Sequence, residues 1–372
     1  MSDRILLIDG HALCYRAFYA VAELRNSKGF STNAVFGFVN ILRKLLKVYT
    51  PGYAAACFDT GKATFRRAKF ADYKIQRPSM PEELSAQIPV IKDVLRAYGI
   101  PVFEKEGFEA DDIIATLVAR FSSPEREIII ASDDKDMQQL IADGVRVYNS
   151  RRDVLLGAED TRARFGVGPE RMVDYLALAG DQGDNIPGVA GVGDVTAQKL
   201  LKEFGSLDGI LARTAELKGK LKEKIEQGRE SALLSRELAT LEANVPLECS
   251  LDDTRTGRMD RKELARLFTD LEFRRFADEF SEDDPVPAGA LPSVNDGGND
   301  AAQCTGVALL TGIAGVLPVM IEDASGSRNA ESFIVSAGGV VFTFTTGELA
   351  GLKDVWAADN VILSVYDAKP AA

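Results

Sequence analysis

Nine acidic side chains fall into four short groups in the first half of the chain. Asp9 and Asp59 each close a short apolar run. Glu109, Asp111 and Asp112 open an apolar helical stretch, and Glu109 and Asp112, three apart, share a helical face. Asp134 and Asp136 follow another apolar run, and Asp181 and Asp184 lie in Gly180-Asp-Gln-Gly-Asp-Asn185. Taken singly, each acid is explained as a turn former, a helix cap or a solvated loop residue. Together they would repel one another in a single crevice, and that repulsion calls for a cation. Hydrolysis of a phosphodiester needs an activated water and neutralised charge on the departing oxygen, which two divalent ions about 3.5–4 Å apart can supply. Hard ions such as Mg²⁺ or Mn²⁺ favour such an all-oxygen ligand set.

The rest of the composition narrows the chemistry. The single histidine, His11, excludes a zinc site built from histidine pairs and any nuclease that relies on paired histidines. Cys14, Cys57, Cys249 and Cys304 lie far apart, so neither disulfides nor a thiolate metal site is expected. No apolar run approaches the roughly 18 residues of a membrane span, and the four-residue run near the N-terminus is too short for a signal peptide. The chain reads as cytoplasmic. A net charge of −12 argues at first against a nucleic-acid partner. However, residues 281–372 carry 12 acids and three bases, which leaves residues 1–280 with 41 bases against 44 acids. With several of those acids engaged by metal, the remainder of that region is net basic.

Two stretches could grip such a substrate. Gly61–Met80 holds Lys62, Arg66, Arg67, Lys69, Lys74 and Arg77 against one acid, Asp72, with Phe65, Phe70 and Tyr73 interleaved. Basic side chains among stacking rings suit single-stranded nucleic acid, although a solvated loop has the same composition. Ile186-Pro-Gly-Val-Ala-Gly-Val-Gly193 places Gly188, Gly191 and Gly193 before a helix whose N-terminus offers N–H groups to phosphate. The Lys and Ser/Thr of a P-loop are missing, because Asp194 and Val195 stand there. A helix-hairpin-helix gripping a duplex backbone fits better than a nucleoside-triphosphate site. Four lysines from Lys218 to Lys224 are either further phosphate contacts or a solvated face.

The elements that must position these residues follow from periodicity. Ile5–Ile8, Tyr53–Phe58, Ile128–Ala131 and Val145–Tyr148 read as buried strands; Phe36–Val48, Glu82–Tyr98 and Glu109–Phe121 read as helices, the second stopped by Gly99. Strands alternating with helices predict a parallel sheet covered on both faces, with its site outside the carboxyl ends of the strands. Asp9, Asp59 and Asp134 belong there. From Pro169 to Phe280 the pattern is purely helical (Pro169–Ala179, Thr196–Phe204, Leu217–Gln227, Ser231–Leu241 and Lys262–Phe268). Residues 281–304 form a linker rich in Asp, Pro, Gly and Ser. Short β-like runs then follow at Val307–Leu310, Val316–Ile321, Phe333–Ser336, Val340–Phe344 and Val361–Val365.

Several motifs in this order carry a resemblance. They are Ile8-Asp-Gly-His-Ala-Leu-Cys-Tyr-Arg16, Phe58-Asp59, Phe65-Arg66 with Tyr73-Lys74 and Arg77, Glu109-Ala-Asp-Asp112, Asp134-Lys-Asp136 and Gly180–Val189. Residues 3–280 thereby resemble the 5′ nuclease domain of bacterial DNA polymerase I, within the flap endonuclease family. The resemblance implies an α/β fold, with a PIN-like catalytic domain over 1–168 and an all-helical helix-hairpin-helix DNA-binding region over 169–280. It implies a two-metal centre of Mg²⁺ or Mn²⁺ held by Asp9, Asp59, Glu109, Asp111 and Asp112 and by Asp134, Asp136, Asp181 and Asp184. Asp9, Asp134, Lys74 and Arg77 are implied as catalytic, the last two drawing the scissile phosphate toward the metals. Arg16, Arg66, Tyr73, Gly188, Gly191, Gly193 and Lys199 would bind DNA, with Tyr73 stacking on a base, and hairpin carbonyls near Val189 and Val192 would hold K⁺. The implied substrates are DNA with 5′ flaps or nicks and RNA primers, in replication and repair, acted on by a monomer. Where relatives carry Gly-Glu-Lys-Thr-Ala after the hairpin, this chain has Gly193-Asp-Val-Thr-Ala197, and loses a lysine but no metal ligand. Residues 305–372 resemble the start of an inactive proofreading-like α/β domain, whose first strand, Val307-Ala-Leu-Leu310, lacks the acids of an active one. The chain ends inside that domain with no polymerase module. A fragment of a longer polymerase and a stand-alone nuclease with a vestigial tail both fit. The alternatives to a DNA flap nuclease are a non-catalytic DNA-binding module and an RNA-directed nuclease.

Overall fold

The computed structural model describes residues 3–281 and three strands beyond them, at 320–323, 332–337 and 340–345. The first unit opens with β1 (Arg4–Asp9), α1 (Gly10–Ala20), α2 (Asn33–Tyr49), β2 (Tyr53–Cys57), the short α3 (Phe65–Lys69), α4 (Glu82–Ala97) and β3 (Val102–Phe103). It continues through α5 (Ala110–Phe121), β4 (Glu127–Ala131), a 3₁₀ turn at Lys135–Leu140, β5 (Val145–Asn149), β6 (Val154–Leu156) and α6 (Ala158–Phe165). The strands join in the order β3-β2-β1-β4-β5-β6. The first five pair in parallel and β6 returns antiparallel along β5. The expected parallel sheet is therefore a mixed one with a short antiparallel edge, which is a common device on α/β sheets.

The central strands are apolar without alternation because both of their faces are buried. Leu6, Ile8, Ala54, Ala56, Ile129 and Ala131 face a core shared with α1, α2 and α4. Ile5, Leu7, Ala55, Cys57, Ile128 and Ile130 face the other side, against Ile113, Ile114 and Leu117 of α5. The expected strands and helices of this region all appear, with ends shifted by at most three residues. Gly99, at φ +73°, follows α4 as its stop signal predicts. The Asp9-Gly10 step starts α1, and the Asp9 carboxylate caps it by accepting from the Ala12 N–H at 3.0 Å.

The helical region consists of α7 (Met172–Ala179), α8 (Asp194–Phe204), α9 (Leu207–Ala212), α10 (Gly219–Gln227) and α11 (Arg229–Ala239), which share a second core. Pro169–Arg171, expected as the start of α7, forms a separate 3₁₀ turn. After α11 the chain returns to the sheet. Residues Leu241–Leu251 pack beside α5. Then α12 (Arg261–Asp270) and α13 (Arg274–Ser281) place Leu264, Phe268, Phe273, Phe276 and Phe280 in the same core as Phe38 and Leu95. The helices near residue 280 thus share the core of the sheet, and only the middle of the expected helical region has a core of its own.

The second unit contributes β7 (Met320–Asp323), β8 (Ser332–Ala337) and β9 (Val340–Thr345), an antiparallel sheet in that order. The expected runs at Val316–Ile321, Phe333–Ser336 and Val340–Phe344 overlap them, whereas the linker and the runs at Val307–Leu310 and Val361–Val365 lie outside the described residues. Among the described residues no helix is long and apolar enough to cross a membrane.

Candidate active site

Five of the sheet's six strands run parallel, so the carboxyl ends of β1, β2 and β4 open on one side. Asp9 is the last residue of β1; Asp59 follows β2, and Asp134 follows β4. Asp9 is almost fully buried and accepts from the Ser132 hydroxyl at 2.6 Å. Burial pushes its carboxyl up to about 7, helped by the negative charges of Asp134 and Asp59 and opposed by the bonds from Ser132 and Ala12. Asp59 is half-exposed; its Oδ1 accepts from the Ala110 N–H at 2.7 Å, and its own N–H donates to His11 Nδ1 at 3.1 Å. Ala110 opens α5, so this bond seats the helix start carrying Glu109 and Asp111 against the end of β2. Burial and Asp134 raise the Asp111 carboxyl well above its ordinary value, with Asp9 and Asp59 adding to the effect.

The remaining acids form a second group. Asp134 caps the 3₁₀ turn by accepting from the Asp136 N–H at 2.9 Å. Asp136 points inward, and its Oδ1 is buried without a hydrogen-bond partner. Oxygens of Asp136, Asp181 and Asp184 all lie within 4.8 Å of one another. Burial raises the Asp136 carboxyl strongly, and Asp134, Asp184 and Asp181 push it further. Asp184 goes the other way: burial opposes its charge, but Lys74 and Arg77 outweigh that and hold it below the usual range. Asp181 is paired with Lys135 at 2.8 Å. A buried carboxylate oxygen with no donor, among acids held close together, fits a divalent cation.

The basic stretch folds over this group. Lys74, in the left-handed region at φ +54°, donates its N–H to the Asp184 carbonyl at 3.0 Å. Its ammonium meets Glu109 at 2.9 Å and Asp184 at 3.6 Å. Burial works against that charge, yet Glu109 and Asp184 keep the Lys74 ammonium firmly protonated. Arg77, half-exposed, pairs with Asp184.

Three residues expected in the site have protein partners in this structure. Asp112, expected as a metal ligand, is fully buried and both of its oxygens are engaged by Arg66, at 2.8 and 2.7 Å. It also accepts from the N–H groups of Glu109 and Glu242, which gives each of its oxygens two donors. Arg66, expected on DNA, is only 1% exposed and donates to Asp112 and to the carbonyls of Leu238 and Thr240. Tyr73, expected to stack on a base, has a buried ring, and its hydroxyl donates toward Glu109 and Asp184, at 3.1 and 3.3 Å. Tyr19 on α1 is exposed and stacks on Tyr15 of the same helix with ring centroids 6.4 Å apart.

Arg16 lies on α1, partly exposed, and makes no ion pair among the described residues. Gly188 and Gly191 adopt positive φ, +63° and +73°. A Cβ on Gly188 would lie 2.4 Å from the Gly180 nitrogen, so the hairpin closes only with glycine there. The Gly188 N–H donates to Ser235 and its carbonyl accepts from Ser231, which fastens the hairpin to α11. Gly193 precedes α8 with open space around it, and Lys199 is exposed on that helix. Ser132, Lys135 and His11 also contact these acids; His11 and Lys135 lie inside quoted motifs, but sequence reasoning assigns none of the three a role there. Ser132 carries no charge, and the partners of Lys135 and His11 lie about 46 or more positions away.

Comparison with known proteins agrees with this geometry. The family model described as the 5′–3′ exonuclease N-terminal resolvase-like domain matches residues 4–166, and that of the 5′–3′ exonuclease C-terminal SAM fold matches residues 167–262. The chain is 43% identical over 284 residues to DNA polymerase I of Bacillus caldotenax, covering 75% of this chain and 32% of that one. It thus spans about a third of the length of the DNA polymerase I relatives it matches. It is 39% identical over 275 residues to a 5′–3′ exonuclease of Aquifex aeolicus strain VF5, covering 74% of this chain and 94% of the relative. Among solved structures, T5 5′-exonuclease with bound zinc superposes with a TM-score of 0.57 at 22% identity, covering 74% of this chain and 98% of that one. The catalytic core of Rad2 in complex with a DNA substrate superposes with a TM-score of 0.51 at 18% identity, over 75% and 91% of the two chains. At those identities the structures establish the shared fold. With the two family models adjoining along the first two thirds of the sequence and nearly all of the Aquifex relative covered, the chain belongs to the 5′–3′ exonuclease family.

Proposed function

We propose that this chain is a structure-specific 5′–3′ exonuclease and flap endonuclease that hydrolyses phosphodiesters of DNA and of RNA primers where a 5′-ended strand leaves a duplex, in replication and repair. The observation that carries this is the buried, partnerless oxygen of Asp136 beside Asp181 and Asp184, in a crevice it shares with Asp9, Asp111 and Asp134. Asp9, Asp59, Glu109 and Asp111 would hold one divalent cation, Mg²⁺ or Mn²⁺; Asp134, Asp136, Asp181 and Asp184 would hold another. When bound, such ions supply an activated water and offset charge on the departing oxygen. The chain's own residues perform the remaining tasks. Ser132 and the Ala12 N–H fix both oxygens of Asp9, so the carboxylate is oriented before any ligand arrives. Lys74 is clamped between Glu109 and Asp184, while Arg77 has one face open to solvent and can leave Asp184 for a phosphate. Hydrolysis with water adding to phosphorus and the P–O3′ bond breaking would leave a 5′-phosphate and a 3′-hydroxyl.

Duplex binding falls to the hairpin. Gly188, Gly191 and Gly193 let the backbone approach, and Lys199 and Arg16 add charge; carbonyls near Val189 and Val192 would take K⁺. We assign the catalytic domain to residues 1–168 together with the returning helices α12 and α13, and the DNA-binding region to the helices between them. Residues 305–372 are assigned to an inactive proofreading-like segment. The protein is placed in the cytoplasm, at the nucleoid, as a monomer. The test is cleavage of a 5′-flap duplex by the full chain in Mg²⁺ and in EDTA. Metal-dependent release of the flap is expected. Tight flap binding without cleavage in Mg²⁺ or Mn²⁺ would instead identify a DNA-binding module.

A further inference from the structure

A cavity of about 360 Å³ opens at the far edge of the sheet, where β5 ends and α6 begins, lined by Gln138, Asn149, Arg152, Asp160 and Arg164 with Leu156 and Ala163. Its polar lining consists mainly of donors. Gln138 is buried; its carbonyl oxygen accepts from the Thr161 hydroxyl at 3.1 Å, which leaves its amide N–H₂ with no acceptor among the described residues. Asn149 is buried too, and its carbonyl oxygen accepts from the Arg152 N–H at 3.0 Å, which leaves its N–H₂ in the same state. Arg152 and Arg164 make no ion pair among the described residues; Arg164 lies against the Phe165 ring, 4.9 Å from its centroid. The one acid, Asp160, accepts from the Gly157 N–H at 2.7 Å as part of the α6 cap, so part of its charge is already engaged. Two guanidinium groups and two unpartnered amides against one engaged carboxylate form a site for an anion with several acceptor oxygens.

The cavity is tied to the acid cluster. Gln138 stands two residues beyond Asp136 on the same 3₁₀ turn. The loop that carries Arg152 is fastened by Asp133, which neighbours Asp134. Both Asp133 oxygens accept from Ser150, at 2.7 Å from its N–H and 2.8 Å from its hydroxyl, and Oδ1 also accepts from the Arg151 N–H at 3.2 Å. Asp133 has no part in the proposed hydrolysis, and this tie gives it one. We propose that the cavity is a phosphate-binding subsite, occupied by a phosphate group of nucleotide chemistry from either the backbone of the bound strand or the released nucleotide. The proposal rests on the nucleic-acid reading above.

The test measures binding without cleavage, so its failure is distinct from failure of the nuclease assay. A labelled 5′-flap duplex is titrated by anisotropy in EDTA across a KCl series, with the wild type and with the Arg152→Gln/Arg164→Gln variant. Both arginines are exposed, and thermal melts confirm that the variant is folded. A backbone phosphate predicts weaker flap binding in the variant and a salt slope reduced by about 0.9 for each phosphate that is no longer neutralised, with cleavage at saturating flap in Mg²⁺ unchanged. A released nucleotide predicts instead that calorimetry detects dTMP binding to the wild type and not to the variant, with flap binding unaltered. If the variant keeps wild-type affinity and slope for the flap, and dTMP binds neither protein or both alike, the subsite is refuted.

Discussion

Replacing Asp9 by asparagine should stabilise the metal-free protein, and the size of the gain should depend on pH. In the folded chain the Asp9 carboxyl is pushed up to about 7 from an ordinary value of 3.8. Between those limits the folded state binds a proton that the unfolded chain releases, so stability falls as pH rises through the window. The loss is complete above about pH 7 and absent below about pH 4. Three pH units of displacement correspond to about 4 kcal/mol. Asparagine imitates the protonated acid and escapes this penalty. It keeps an acceptor for the Ala12 N–H, but its N–H₂ forces the Ser132 hydroxyl to reorient, at roughly 1 kcal/mol. The variant should therefore exceed the wild type by about 3 kcal/mol at pH 8 in EDTA and by nothing at pH 4.5.

Urea melts at several pH values in EDTA provide the assay, and the comparison with the wild type cancels groups that titrate in the same range, such as His11, whose lowered value acts in the opposite direction. Adding Mg²⁺ at pH 8 should narrow the gap, because a cation relieves the penalty in the wild type and finds one ligand fewer in the variant. A variant less stable than the wild type at pH 8, or a gap independent of pH, would refute the burial of a charge-averse Asp9 at the end of β1.

Three further outcomes follow from the same geometry. Asp134→Ala should lower flap cleavage at saturating Mg²⁺ by roughly 10³-fold or more while leaving flap affinity within a fewfold, read by single-turnover cleavage and anisotropy; unchanged turnover would remove Asp134 from the site. Arg66→Ala leaves Asp112 buried and unpaired and should cost roughly 3–5 kcal/mol in urea melts, whereas a DNA-contacting Arg66 would lose affinity with stability intact. Gly188→Ala forces a Cβ to within 2.4 Å of the Gly180 nitrogen at φ +63° and should cost roughly 3 kcal/mol and weaken duplex binding; a variant that melts like the wild type would mean that the hairpin tolerates a side chain at this turn.

The acids at the strand ends are legible because a strand buried on both faces spells itself as an unbroken apolar run, and a polar residue closing that run has only the crevice to enter. Arg66, Asp112 and Tyr73 are not legible for the converse reason. Their charge and aromaticity suggest ligands, yet Arg66 and Asp112 satisfy each other across 46 residues, a separation that leaves no local pattern. The apolar spacing of Phe268, Phe273, Phe276 and Phe280 likewise declares a buried face without saying in which core it is buried. Contiguity assigns it to the helical region, and packing assigns it to the sheet.

The same distinction divides the acid cluster. Asp181 has Lys135, Asp184 has Lys74 and Arg77, and Glu109 shares Lys74, so each of these carboxylates already has a cationic partner. Asp9, Asp111 and Asp136 have no ion-pair partner among the described residues, and all three resist ionisation. In the proposed reading a divalent cation would relieve three side chains on three different elements, the end of β1, the first turn of α5 and the turn after β4. In the same reading it would compete at Asp181, Asp184 and Glu109 with lysine or arginine already in place, and the arginine or lysine displaced would become the cation available to a phosphate.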